Sequence, residues 1–122
     1  MARVIELRRS REMTAWKWMR YSGLLLIPLA WGHVLIQDVL VGVDRIDLDY
    51  VSMRWAYLGW RIYDFLLLVF ALAHGINGLR QVVLDFAWKK KNIRLVNQAA
   101  VGYWLVMLLL GVAALLGGVR QP

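Results

Sequence analysis

The sequence predicts an all-α membrane protein with three transmembrane helices, and three observations carry that prediction. The chain has 122 residues, of which 61% are apolar, well above the ~45–50% of an ordinary soluble domain. Its apolar residues form three long stretches, and a membrane helix needs only about 20 residues. Strands are excluded as the main structure because an open sheet leaves its edges unpaired in lipid.

The predicted spans belong to one membrane-anchor domain, residues 1–122. The first span has no charge in its interior, and the third has none at all. The second carries Asp64 near one end, with Arg80 and Asp85 near the other. The acidic connection after the first span leaves open whether it contains a turn or a short helix. The spans cover residues 16–40, 60–86 and 95–119.

The charge pattern predicts which way the chain crosses the membrane. The N-terminal arm and the connection W-K-K-K-N-I-R are basic, whereas the connection of residues 41–59 is rich in aspartate. Cytoplasmic loops carry the excess of Lys and Arg, so we expect a cytoplasmic N-terminus and an outer C-terminus. Such flanking charge is typical of a membrane protein, and no nucleic-acid binding is predicted. Aromatic residues mark an inner boundary (Trp16, Trp18, Trp88) and an outer one (Trp55, Tyr57, Trp60).

The first span is not predicted to be a cleaved signal peptide, because it is too long and lacks a small-residue cleavage site. The chain has no cysteine, which excludes a disulfide, a thiolate zinc site and an iron–sulfur cluster held by this chain. No H-E-x-x-H motif and no phosphate-binding glycine loop is present. A transporter is disfavoured because the third span offers only Asn97 and Gln98 to line a polar path.

Polar residues inside the spans are the candidates for function, because they are costly in lipid. The only two histidines are His33 in the first span and His74 in the second. Neutral imidazole suits either an axial bond to haem iron or a hydrogen bond between helices. Helical spacing places His74 on one stripe with Gly78, Gln81 and Asp85, and His33 on another with Ser22, Leu26 and Leu29.

Glycines beside both histidines leave room for a flat macrocycle or a neighbouring helix. They are Gly75 and Gly78 next to His74, and Gly32 next to His33.

Charged residues near the inner boundary have two interpretations each. Arg20 can bind a haem propionate or lie at the interface with lipid phosphate. Asp85 can relay protons or form a salt bridge to Lys89 or Arg94. If Arg20 and Asp85 lay at one depth, His33 would be only slightly nearer the outer face than His74, given a rise of ~1.5 Å per residue.

Several short motifs together resemble a known family. The most specific is H-G-I-N-G-L-R at residues 74–80, followed by Asp85. Others are W-K-W-M-R-Y-S-G at residues 16–23, G-H at 32–33, R-I-D at 45–47, R-W-A at 54–56 and W-R-I-Y-D at 60–64. The chain resembles the D-type, haem-containing membrane anchor of succinate:quinone oxidoreductase (succinate dehydrogenase, respiratory complex II), closest to actinobacterial-type enzymes. The third span matches only in being apolar.

The resemblance implies partners and cofactors. A flavoprotein subunit with FAD would oxidise succinate, and an iron–sulfur subunit would carry the electrons to the membrane. This chain and a second, C-type anchor would dock that iron–sulfur subunit, hold haem b and form a quinone site in a bacterial plasma membrane. The resemblance allows a trimer of the whole complex. It leaves open a fumarate reductase anchor and an anchor without haem.

The resemblance also implies roles for single residues. His74 matches the axial ligand of the haem iron, and Arg20 matches an arginine near a propionate, with Ser22 counted beside it as cofactor-binding. Asp85 matches the acidic residue at the quinone pocket. Many members have a tyrosine next, which donates a hydrogen bond to quinone, but this chain has Phe86. The donor would then come from Trp88, a water or a partner, and Phe86 would stack on the quinone ring.

His33 has two interpretations under the resemblance. Some members hold two haems, and a first-span histidine then binds the outer iron. His33 would otherwise pack against a neighbouring helix or donate to a propionate.

Overall fold

The computed structural model describes residues 11–86 and 90–118. Within these residues the chain forms helices and no strand. A π-helical segment (Leu35–Gly42) and a short 3₁₀ turn (Val43–Arg45) join the first two helices. The α-helices are α1 (Arg11–Val34), α2 (Leu48–Ala56), α3 (Leu58–Asp85) and α4 (Lys90–Gly117).

Three helical segments are long and apolar enough to cross a membrane, which confirms the predicted number of spans. They are Glu12–Arg45, Leu58–Asp85 and Lys91–Gly117. The orientation of the two termini stays a prediction.

The first span contains α1 and the π-helical segment that continues it. Pro28 lies inside α1 and lacks the backbone N–H of a helical hydrogen bond, which membrane helices tolerate. The segment ends at Gly42, whose φ is 93°. Glycine reaches this backbone conformation without strain, so the chain can turn out of the helix at this position.

The acidic connection contains α2, which the sequence left undecided. Asp47 caps the start of α2, because its side chain accepts a hydrogen bond from the Tyr50 backbone N–H at 2.7 Å. Ser52 and Arg54 are buried on the inner face of α2. The helix therefore closes one end of the bundle.

The three long helices are arranged with α3 in the middle, packed against α1 on one side and α4 on the other. Gly111 of α4 lies directly against the Leu68 side chain of α3, where a larger residue would collide. Small residues allow this close approach in membrane bundles.

Most large apolar side chains point away from the bundle. Among the described residues only Leu115 is a buried apolar side chain, whereas Trp31 is 73% exposed and Phe86 79%. A soluble monomer rarely exposes so much apolar surface. Lipid or another chain must therefore cover these faces.

The helix that contains the third predicted span begins earlier than that span. We expected the span to begin at residue 95, after a basic loop, but α4 begins at Lys90. Lys91 and Arg94 therefore lie in the first turns of a helix. Long basic side chains permit this, since their stems lie along apolar surface while the charge reaches water. Lys89 lies outside the described residues.

Candidate functional site

His74 projects from α3 against the backbone of α1. Its Nδ1 lies 3.0 Å from the carbonyl oxygen of Met19. A carbonyl oxygen only accepts hydrogen bonds, so Nδ1 carries the proton and donates. In the neutral ring Nε2 then keeps its lone pair. The residue is exposed at the surface of this chain, so an outside group can approach it.

Gly23 makes room for the His74 ring. A Cβ atom built on Gly23 would lie 2.9 Å from Cε1 of His74 and 3.0 Å from Nδ1, closer than such contacts normally come. A larger residue at this position would force the His74 ring to shift from the position in which it bonds to Met19. The sequence contained this glycine at the end of a motif, but nothing in its spacing revealed which side chain it faces.

Ser22 acts on the same carbonyl as His74. Its side chain is fully buried, and its hydroxyl donates to the Met19 oxygen at 3.0 Å. A hydroxyl with no exposed surface does not reach a cofactor at the edge of this chain. Any contribution of Ser22 to a cofactor site would pass through Met19 to His74.

Two glycines on α3 leave open space beside His74. A Cβ atom built on Gly75 or Gly78 would meet nothing within 4 Å. Packing among the described residues therefore does not require glycine at either position. The space they leave lies on the outside of this chain, where a partner helix or a flat ligand fits.

Arg20 lies on the part of α1 that borders His74. It precedes Gly23 by three residues, and residues three apart are neighbours on a helix face. Its guanidinium stacks on the Trp16 ring, 4.7 Å from the ring centre. No acceptor among the described residues takes its N–H groups, so they remain available to a carboxylate.

The assumption that Arg20 and Asp85 share one depth is wrong. Arg20 follows Met19, which bonds to His74, so Arg20 lies close to the depth of His74. Asp85 comes 11 residues after His74, or about 16 Å along the helix. His33 comes 14 residues after Met19 on α1, in the opposite direction. Its ring lies beside Asp64, which precedes His74 on α3 by ten residues, or about 15 Å. The two histidines are therefore widely separated in depth.

The sequence suggested that Gly32 leaves open space beside His33, but this space is filled in the structure. The Tyr63 hydroxyl occupies that space and donates to the Leu29 carbonyl at 2.5 Å. A Cβ atom on Gly32 would lie 2.8 Å from the Tyr63 oxygen. This glycine serves the contact between α1 and α3.

His33 belongs to a polar cluster at the α2 end of the bundle. Its Nδ1 lies 3.8 Å from a carboxylate oxygen of Asp64, too far for a hydrogen bond. Asp64 accepts from the Arg54 guanidinium at 3.0 Å and from the Trp55 indole at 2.8 Å. Arg54 also stacks on the Trp60 ring at 4.4 Å. His33 and Asp64 border a largely apolar cavity of about 390 Å³ between α3 and α4.

The predicted quinone residues lie at the opposite end of the bundle. Asp85 is the last residue of α3, and Phe86 follows it as the C-cap. Both are exposed at the surface of this chain. Trp88 lies outside the described residues. This end is therefore accessible to a partner chain or a ligand.

A polar cluster that was not predicted from the sequence joins the three long helices. Arg80 of α3 donates to Asn97 of α4 at 2.7 Å and pairs with Glu12 of α1. It also donates to Asn77 at 3.2 Å, and Asn77 in turn donates to the Ala15 carbonyl at 3.1 Å. The sequence feature that could have indicated this cluster is an arginine with an asparagine three residues before it, inside an apolar helix.

The described residues contain no group of three or more His, Asp or Glu side chains that could hold a metal ion. A haem iron needs only one protein ligand on each axial side. His74 could supply one of them, and His33 is too far away to supply the other to the same iron.

Comparison with known proteins identifies the family. A search of curated proteins found no match to this chain. Residues 3–116 match the family described as succinate dehydrogenase/fumarate reductase transmembrane subunit. The match covers most of the 122 residues, including the first two candidate spans and all but the last residue of the third. The chain therefore belongs to the family of succinate dehydrogenase/fumarate reductase transmembrane subunits.

Proposed function

We propose that this chain is the D-type, haem-bearing membrane anchor of a succinate dehydrogenase. The observation that carries the proposal is the His74 side chain. Its Nδ1 donates to the Met19 carbonyl, which leaves Nε2 with a lone pair at an exposed position. Metal-binding histidines almost always donate their other ring N–H in this way.

The surroundings of His74 fit a haem. Open space lies beside Gly75 and Gly78, and Arg20 offers a fork of donors to a propionate. The C-type anchor would hold the haem together with this chain. Bound haem b would supply a one-electron carrier near the quinone.

This chain's own residues would orient and shield that site. Ser22 and His74 share the Met19 carbonyl, which holds the imidazole ring in one direction. The Arg20 guanidinium is steadied by the Trp16 ring. The exposed apolar faces of the helices, covered by lipid or by the partner anchor, would keep water away from the site.

His33 distinguishes a one-haem complex from a two-haem complex. Its ring lies roughly 15 Å in depth from His74, farther than it would lie if Arg20 and Asp85 shared one depth. With two haems, His33 would bind the outer iron. With one haem, it would pack beside Asp64 as it does in this chain. The number of b haems per FAD in the purified complex separates the two arrangements.

The remaining assignments follow from the family. We propose that an iron–sulfur subunit docks at the cytoplasmic end and that a flavoprotein subunit holds FAD. The iron–sulfur clusters would lie in the partner, since this chain has no cysteine. The complex would lie in a bacterial plasma membrane with the N-terminus of this chain inside, and a trimer of complexes is compatible with this arrangement.

An anchor without haem is the second candidate, and one observation favours it. The bond from His74 to Met19 already links α3 to α1, so the histidine would be useful without iron. The two candidates differ at Nε2, which binds iron in the first and contacts a partner side chain or lipid in the second.

The test uses the complex purified through a tag on this chain. We expect flavoprotein and iron–sulfur subunits to co-purify and a reduced-minus-oxidised spectrum to contain a b-type band. Co-purification without that band would favour the anchor without haem. Turnover measured in both directions, with menaquinone and ubiquinone analogues, separates succinate dehydrogenase from fumarate reductase.

Asp85 is expected to support proton transfer at the quinone site. Asp85→Asn keeps the size of the side chain but removes the acid. A positioned acid or base contributes about 100-fold or more to a rate, so we expect quinone reduction by succinate to fall by about that factor. Succinate oxidation with a soluble artificial electron acceptor should not change.

Asp38→Asn is the matched control for Asp85→Asn, because Asp38 is an exposed carboxylate in the π-helical segment at the other end. If both variants lower quinone reduction equally, or if neither does, Asp85 has no special role. In either case the proposed quinone site at this end of α3 would be wrong.

A further inference from the structure

We propose that Arg80 is a positioning residue for His74, acting through a line of hydrogen bonds between α3 and α1. Besides Tyr63 near the start of α3, three polar side chains in its second half, spaced three residues apart, bond to α1. His74 donates to the Met19 carbonyl, Asn77 to the Ala15 carbonyl, and Arg80 to the Glu12 carboxylate. The inference rests on the proposed haem function of His74.

Arg80 anchors this line because it bonds in three directions. Its Nε donates to Asn97 of α4, one terminal nitrogen donates to Asn77, and the other donates to Glu12. The side chain is only 11% exposed. A planar guanidinium that bonds to two amide oxygens and a carboxylate has one favourable orientation, so it restrains α3 relative to both neighbouring helices.

Asn77 connects Arg80 to the depth of His74. Its amide oxygen accepts from Arg80, and its amide nitrogen donates to Ala15, one turn of α1 before Met19. Without Arg80 the Asn77 amide is free to rotate away from Ala15. The hydrogen bond from His74 to Met19 would then be the next contact along this line that holds α3 in place against α1.

The rotation of α3 about its own axis determines where the His74 ring points. In lipid no hydrophobic force selects one rotation, so polar contacts and close packing set it. A helix with side chains is ~10–12 Å wide, so a turn of about 20° moves a side-chain tip by roughly 2 Å. Such a shift would weaken the bond from Nδ1 to Met19.

The hydrogen bond from Nδ1 to Met19 affects the basicity of the iron ligand as well as its direction. A histidine that donates from Nδ1 to a carbonyl is a more basic ligand at Nε2. A more basic ligand favours the oxidised iron. Loss of Arg80 is therefore expected to raise the midpoint potential of the haem, in addition to altering the ligand geometry.

The test is Arg80→Gln in the purified complex, with the haem followed by redox titration and by electron paramagnetic resonance of the ferric state. We expect a higher midpoint potential and shifted g-values, while haem per FAD stays at or above half of wild type. A potential and g-values identical to wild type in an assembled Arg80→Gln complex would overturn the positioning role.

A second variant covers the case in which Arg80→Gln does not assemble. Asn97→Ala removes one of the three acceptors and leaves the pair with Glu12, so we expect a smaller shift in the same direction. Gln98→Ala is its matched control, because Gln98 is the next residue on α4 and is exposed. Equal shifts in both variants, or a shift in neither, would contradict the inference.

The outcome of the wild-type spectrum separates this inference from the proposed function. If wild-type complex contains no b haem, the proposed function fails, and the positioning role fails with it. If wild type contains haem that is lost in His74→Ala but is unaltered by the Arg80 and Asn97 variants, only the inference fails.

Discussion

His74→Ala is expected to remove the b-type band of the haem bound at this residue from the assembled complex. The methyl group cannot bind iron, and it also ends the hydrogen bond to Met19. Haem per FAD should fall to zero if the complex holds one haem, and by one if it holds two. Haem content is measured by the pyridine haemochrome assay, and FAD is measured on the same sample.

His33→Ala is the matched control for His74→Ala, because it removes the only other histidine of the chain. It should leave the haem at His74 in place, since the His33 ring lies beside Asp64, roughly 15 Å away in depth. An unchanged haem content in His74→Ala would refute the ligand assignment. Failure of the complex to assemble would instead appear as loss of FAD from the purified sample.

Gly23→Ala is expected to displace the His74 ring although it adds only one methyl group. The new Cβ would lie 2.9 Å from Cε1 and 3.0 Å from Nδ1 of His74. The ring must move, and its bond to Met19 is lost or lengthened. Changes in the residues that orient a metal ligand typically cost ~10–100-fold in affinity, so we expect haem to dissociate far more readily during purification.

Gly102→Ala provides the control for the added methyl group. A Cβ atom on Gly102 meets nothing within 4 Å, and the residue lies on α4, away from His74 in the sequence. We expect its haem content to equal wild type. A Gly23→Ala complex with wild-type haem retention and spectrum would show that the ring has another stable position, which contradicts the proposed role of Gly23.

Much of the fold could be predicted because the membrane imposes strong rules. Lipid requires uninterrupted apolar helices of a minimum length, so three spans followed from hydropathy alone. His74 could be singled out because an ionisable group in a span is costly. The resemblance of residues 74–80 to the family then suggested that His74 binds haem iron. The family match confirms that the chain belongs to that family.

The depth of the helices relative to one another could not be predicted. Apolar faces of membrane helices resemble one another, so periodicity does not tell which residue of α1 meets which residue of α3. The hydrogen bonds of Met19 and Ala15 to α3 set that alignment, and both use backbone carbonyls. Every residue has a backbone carbonyl, so the sequence does not indicate which carbonyl accepts a hydrogen bond.

The contacts that the glycines make could not be predicted from the sequence either. Gly23 faces an imidazole ring, Gly32 faces the Tyr63 hydroxyl, and Gly75 faces open space. The three glycines look alike in the sequence, but they differ in what lies across the helix interface. Arg80 was similarly ambiguous, because an arginine near the end of a span usually reaches toward lipid phosphate.

The most direct test of the account is a density map of the assembled complex at His74. We predict iron of a porphyrin within bonding distance of Nε2, with Nδ1 still donating to the Met19 carbonyl and the Gly23 face of α1 against the ring. A map with lipid or a partner side chain against Nε2, and no porphyrin beside it, would contradict the account.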